Sequence, residues 1–222
     1  MLSSLKPKPK LVIWGAGGHG RVVADAVACA GRFEVVGWLD DARLERAGEI
    51  FEGVPILGGP ECLRRFGPQG IEWLVVAVGQ CAARSRLAVI AVEHGLKLAT
   101  VIHPTATVAR SAVVGAGTFV AAGAVVAAGV RLGPNVIINH GATVDHDGEV
   151  AAAAHVCPGS HLAGNVRIGE RAWIGIGASI IEGVSVGADT VVGAGSVVIR
   201  DLPAGVVAFG NPARVVRSVE LK

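Results

Sequence analysis

Two stretches of the chain hold residue types that could do chemistry. One is the glycine-rich string Gly15-Ala16-Gly17-Gly18-His19-Gly20, with the acidic pair Asp40-Asp41 about twenty residues on. The other is Val144-Asp145-His146-Asp147-Gly148, where an imidazole between carboxylates interrupts an alanine-rich wall. Glycines at a strand-to-helix turn let the backbone approach a phosphate, and the unpaired N–H groups and dipole of the helix N-terminus favour negative charge there. A histidine beside a carboxylate suits general-base catalysis, because the carboxylate stabilises the protonated ring and raises its basicity. Such a polar cluster is costly to bury without partners, so a corner that turns both side chains outward is the natural place for it.

The first string needs a strand before it and a helix after it. Leu11 to Trp14 is an apolar run, and Arg21 to Ala30 has a helical pattern. A second strand, Glu34 to Leu39, runs into Asp40-Asp41, and a third, Glu72 to Val78, reaches Gly79 before a helical stretch that contains Arg84. This alternation predicts a small Rossmann-like α/β domain with a parallel sheet over residues 1–100. Gly15-x-Gly17-x-x-Gly20 with Asp40 formally matches a dinucleotide fingerprint. Three clear strands are only half the sheet that a dinucleotide spans, so a mononucleotide fits better.

The second string sits in a different grammar. Stepping by six from Ile102 to Val198 meets only Val, Leu or Ile, through 17 hexads without a break. Four residues after each of these positions the side chain is mostly small or β-branched, as at Ala106, Thr118, Ala142, Ala172 and Ser196. A period of six is neither the 3.6 of a helix nor the two of a plain strand. It fits a short strand plus a corner, three of which close one coil of about 18 residues in a stacked solenoid. Residues 101–222 are therefore expected to form a parallel β-helix.

Composition sets further bounds. The 51% hydrophobic content calls for a buried core, and the 32 glycines call for many tight turns. The net charge of +2 comes from interspersed charges, without the basic block or stacked aromatics of a nucleic-acid groove. Cys29, Cys62, Cys81 and Cys157 fit neither a CxxC pair nor a disulfide scaffold, which suggests reduced thiols in a cytoplasm. The apolar stretch after the basic start MLSSLKPKPK breaks at Gly15, too soon for a signal h-region or a membrane span.

The hexads resemble the hexapeptide-repeat, left-handed β-helix acyltransferases over roughly the last 120 residues. The string GAGGHGRVV, followed by LDD and VAVGxxxxR, resembles the N-terminal domain of the sialic-acid, bacillosamine and perosamine-type sugar O- and N-acetyltransferases. The resemblance implies an acetyltransferase that moves an acetyl group from acetyl-CoA to the amino group of a UDP- or GDP-linked sugar, without a metal. It also implies a homotrimer with acetyl-CoA between neighbouring β-helices. It carries over Gly17, Gly18, His19, Asp40 and Asp41 as nucleotide-sugar contacts, with Arg21 and Arg84 as weaker candidates for phosphate or ribose. It places the catalytic base at His146 and its acidic partner at Asp147, where the family often has Glu. His155 matches the histidine at the thioester, and Ile176 and Ala194 match positions that line the pantetheine channel. The tail from Gly210 to Arg214 resembles a loop that closes over CoA, where Arg200, Arg214 or Arg217 could meet phosphates.

Five histidines fall in the hexad region. His103, before Pro104, reads as structural, and His140 and His161 carry no assigned role. Sialic-acid or other sugar O-acetylation stays open beside N-acetylation, as does a non-catalytic trimeric binding protein. A zinc-dependent γ-type carbonic anhydrase is disfavoured, because the histidine spacings of six and nine lack a close His-x4-His pair.

Overall fold

The computed structural model describes residues 7–220, so the first six residues of the basic start lie outside it. The chain opens with β1 (Lys10–Trp14), α1 (Gly18–Ala30), β2 (Glu34–Leu39), β3 (Ile50–Phe51), β4 (Val54–Gly58), β5 (Ile71–Val76), α2 (Cys81–Glu93) and β6 (Lys97–Leu98). These strands form one sheet in the order β3-β4-β2-β1-β5-β6, parallel except for the β3–β4 hairpin. The sequence reading found three of the six. The missed ones are the short β3, β4 and β6, of which β3 and β6 have two residues each, too few to show a period. Leu11, Val12, Ile13 and Trp14 are fully buried because helices cover both faces of a parallel sheet.

From Val101–Ile102 to Val197–Val198, every hexad contributes one two-residue strand whose second residue is the repeated Val, Leu or Ile. The strands stack in parallel, in register, into three faces of a left-handed β-helix. The first face contains Phe119, Ile137, His155 and Trp173, the second Val125, Thr143 and His161, and the third Arg131, Glu149 and Arg167. The repeated aliphatic columns and the small residues between them make one continuous core. Each fully buried Val, Leu or Ile there contributes about 1.5–3 kcal/mol before entropy is charged against it. Buried hydroxyls at the small positions are satisfied by the next coil, as where Thr118 Oγ1 donates to Gly133 O at 2.8 Å and Ser160 Oγ to Gly175 O at 2.8 Å.

The corners need backbone that L-residues avoid. Every sixth residue from Gly117 to Gly195 has a left-handed φ, between +55° and +74°. Glycine, Asn and Asp fill most of these positions, as expected of residues that tolerate this conformation. Asp147 is one of them, at φ +57°. The helix is finished by Val206–Gly210, which pairs with Val191–Val192 and turns back as an antiparallel strand, Ala213–Ser218.

The two parts share a core. Helix α1 lies on the first face, where Val101, Phe119, Ala121 and Ile137 pack with Leu11, Ile13, Val23 and Ala26. The outward residues Val101, Phe119 and Ile137 of that face are buried in this shared core, and His155 follows them on the same face. Among the described residues, no helix is long and apolar enough to cross a membrane.

Candidate active site

The glycine turn has the expected strand–turn–helix geometry. Gly15 has φ +123°, and a Cβ there would stand 2.6 Å from Ala77 O. Gly20 lies against Gly15 O and the Trp38 ring, so it permits helix–strand packing. Gly17 and Gly18 have nothing within 4 Å of an added Cβ, and α1 begins there without a side-chain cap. A bare helix N-terminus of this kind is able to seat an anion.

Around it the structure adds two residues that the sequence reading missed. Arg43 and Arg46 both donate to Ala16 O, at 3.1 and 2.8 Å, and both reach Asp40 Oδ2. Asp40 is buried, and its carboxylate binds these guanidiniums and Arg43 N, so it fastens a basic loop to the glycine turn. Its carboxylate oxygens are thus engaged within the chain. Asp41 is exposed and accepts from Trp14 Nε1 at 2.9 Å. Arg21 projects from the first turn of α1, pairs with Glu52 at 2.7 Å and lies over the Phe51 ring.

Arg84 corrects another expectation. It is 1% exposed, and its donors go to five backbone carbonyls: Asn135 O, Val78 O, Gly79 O, Ala153 O and Ala154 O. A phosphate cannot reach it. It ties α2 to the β-helix, and burial pulls its pKa down although no carboxylate faces it.

His19 and His155 meet at the seam between the two parts. Their ring centroids are 6.3 Å apart, with Phe119 edge-on to His19 and Trp173 edge-on to His155. Asn139, also missed from the sequence, bridges this cluster. Its Oδ1 accepts from His140 N at 2.9 Å, which turns its Nδ2 toward His155 Nε2 at 3.1 Å. His155 Nε2 is therefore an acceptor and the proton sits on Nδ1. Desolvation pushes His19 down to about 4 and His155 down to about 3, and the nearby Arg84 charge acts in the same direction on both. Both rings are neutral and enclosed, so neither is placed to collect a proton from a substrate. A weak signal for Asn139 existed, since the equivalent corner positions of the same edge are His103, Ala121, Cys157, Gly175 and Gly193, among which only His103 is also strongly polar.

His146 is the opposite case. Its side chain is 53% exposed, at the corner between the second and third faces, and Nδ1 lies 3.1 Å from Asp147 Oδ2. The left-handed φ of Asp147 turns its carboxylate back toward the preceding ring, which is how sequence neighbours come to pair. With the proton held on Nδ1, Nε2 keeps its lone pair. The hydrogen bond to Asp147 raises the imidazole pKa, and the charges of Asp145, Asp147 and Glu182 add to it. Ile176 and Ala194 are both exposed and stack one coil apart at the corner between the first and second faces, in line with His140. Arg214 is exposed on the closing hairpin. His161 bonds Thr143 Oγ1 through Nδ1 at 3.0 Å.

Asp25, Cys29 and His103 form the trio of potential metal ligands found among the described residues. His103 Nδ1 is engaged by Thr105, whose N donates to it at 3.1 Å and whose Oγ1 lies at 2.8 Å. Cys81 and Cys157 are buried thiols whose pKa values burial raises, Cys157 to about 12.

An exposed imidazole–carboxylate base on a hexapeptide-repeat helix, behind a small α/β module with a bare helix N-terminus, defines an acyltransferase of the hexapeptide class. Residues 10–90 match the PglD N-terminal domain, and residues 111–146 and 165–200 match the bacterial transferase hexapeptide family. PerB from Caulobacter crescentus, in complex with CoA and GDP-perosamine, is 43% identical over 93% of this chain and 97% of its own, with a TM-score of 0.88. Structures of the same GDP-perosamine N-acetyltransferase with one histidine replaced by Ala or by Asn are equally similar, at a TM-score of 0.89. The acetyltransferase domain of PglB from Neisseria gonorrhoeae, also solved with acetyl-CoA, is 42% identical over 94% of this chain and all of its own, with a TM-score of 0.88. No curated protein matches at a comparable level. The chain belongs to this family of acetyl-CoA-dependent sugar N-acetyltransferases.

Proposed function

We propose that the protein transfers the acetyl group of acetyl-CoA to the amino group of a GDP-linked amino sugar, with His146 as general base. The observation that carries this reading is the half-exposed His146 imidazole, held through Nδ1 by Asp147, in a chain 43% identical to an enzyme solved with CoA and GDP-perosamine. The amine nitrogen attacks the thioester carbonyl carbon, and its proton passes to His146 Nε2. The tetrahedral intermediate collapses with cleavage of the C–S bond, and the imidazolium returns the proton to the departing thiolate. Asp147 keeps the ring in the tautomer that this sequence of steps requires.

The nucleotide seat is the N-terminus of α1, with Gly17, Gly18 and His19 at the turn, Asp41 and Arg21 beside it, and Arg43 as an added cation. Acetyl-CoA runs along the corner marked by Ile176 and Ala194, with His155 near the thioester end and Arg214 toward the phosphates. Within one chain His146 lies on a different corner from this channel and from the glycine turn, which sits on the first face. A homotrimer resolves this, because a neighbouring chain can present its His146 corner to the channel. The four cysteines are free, in keeping with a reducing cytoplasm and a role in supplying precursors for polysaccharide synthesis.

The test is acetyl transfer to GDP-perosamine and to a UDP-linked amino sugar, followed by thiol release and by mass spectrometry of the product. We expect the amide, with GDP-perosamine the better acceptor, and no calorimetric binding of NAD. An ester product, or acceptance of neutral sugars only, would overturn the reading.

A further inference from the structure

The His146 ring has to lie somewhere, and its floor is a glycine. Residues 18 apart stack, so the corner that holds His146 is a column running Arg110, Ala128, His146, Gly164, Glu182, Arg200. The equivalent position at the other two corners is never glycine. Gly164 also differs from the glycines that serve coil stacking. A Cβ at Gly115, Gly133, Gly169 or Gly187 would meet the backbone of the next coil, so those glycines serve the stacking itself. A Cβ at Gly164 would meet only the imidazole of His146 at close range, 2.5 Å from Nε2 and 3.1 Å from Nδ1. Its φ lies outside the left-handed region, so the backbone does not call for glycine there. On the other side of the couple, a Cβ at Gly129 would overlap Asp147 Oδ1.

We propose that Gly164 is a positioning residue, whose missing side chain leaves the space in which the His146 imidazole lies flat with Nδ1 against Asp147. The inference rests on the reading of His146 as the base. A methyl group at 164 must tilt the ring out of this space, since the coil below is fixed by Asn165 N donating to His146 O at 2.9 Å. Tilting moves Nδ1 away from Asp147 and Nε2 away from its approach to the acceptor.

In Gly164→Ala we expect kcat to fall about a hundredfold, the scale of a displacement of about 1 Å at a reacting group. KM for both substrates should stay within about twofold, because no binding contact is touched. Histidine labelled with carbon-13 at Cε1, assigned through His146→Gln, should show the His146 midpoint falling toward the ordinary value once the Asp147 bond is lost. Wild-type kcat with an unmoved midpoint would overturn the proposal. If His146 proves not to be the base, kcat loses its meaning here, but the midpoint still reports whether Gly164 seats the ring. Should Gly164→Ala fail to fold, Gly164→Ala with His146→Ala must fold, since the overlapping group is gone; a second failure also refutes it.

Discussion

His19 and His155 come from opposite sides of the domain seam and face each other at 6.3 Å as two neutral imidazoles. Both have pKa values depressed below that of an unfolded histidine, His19 to about 4 and His155 to about 3. Between those values and about 6.5 the unfolded chain binds more protons than the folded one, so folding weakens as the pH drops. The stabilisation is fully present above pH 6.5 and is lost through about pH 4 to 3. Melting temperature measured from pH 7.5 to 4 should fall over this window, and the fall should be shallower in His19→Gln/His155→Gln. Equal slopes in the two proteins would show that the pair does not control acid stability.

His146, the proposed base, follows the opposite sign. Its pKa is raised by Asp147, and the reaction requires the neutral ring, so activity should climb with pH through a midpoint above the ordinary histidine value. His146→Ala should reduce kcat/KM by about two to four orders of magnitude with CoA binding little changed. Asp147→Asn should shift the acidic limb to lower pH and lower the plateau more mildly. A pH profile identical to wild type in Asp147→Asn would separate the carboxylate from the base.

Corner geometry makes the trimer testable by complementation. Chains carrying His146→Ala, co-expressed with chains in which Gly18→Glu blocks the nucleotide seat, should recover part of the activity when a site draws on two subunits. Light scattering should give a trimer for each variant alone. Recovery no greater than the sum of the two variants would place the whole site in one chain.

Arg84 should matter for folding before it matters for chemistry. Removing a buried group that serves five carbonyls leaves acceptors without partners, each costing about 1–3 kcal/mol. Arg84→Met should therefore lower the melting temperature by about 5 °C or more. KM for the nucleotide sugar, measured well below that temperature, should change little. A raised KM at unchanged stability would return Arg84 to the substrate.

Legibility from the sequence followed the length of the pattern. Seventeen hexads specified the β-helix, and the string from Gly15 to Gly20 specified the first turn, because each rule repeats or has few physical solutions. β3 and β6 were illegible because two residues carry no period, and they form strands only beside neighbours already in place. The His146–Asp147 pair was legible as chemistry from its residue types. Its geometry was not, since pairing of sequence neighbours depends on the φ of Asp147. The internal partners of Asp40 and Arg84 were not legible: a charged residue at the end of a strand or the start of a helix looks available until its partners are known. Arg43 and Arg46 stand only three and six residues beyond Asp40, but in a loop without a period, while three of the acceptors of Arg84 lie more than fifty residues away, where no local pattern reaches.

The fastening of Arg84 to carbonyls on both sides of the seam also makes the acceptor a measured length. A hinge there would break several charge-assisted hydrogen bonds at once, so the α/β part cannot swing its cargo toward the base. If the proposed nucleotide seat works with a neighbour's His146, the span between them is then constant, and the diphosphate would serve as the gauge that fits it. A sugar joined through a single phosphate would occupy the seat and stop short of the imidazole.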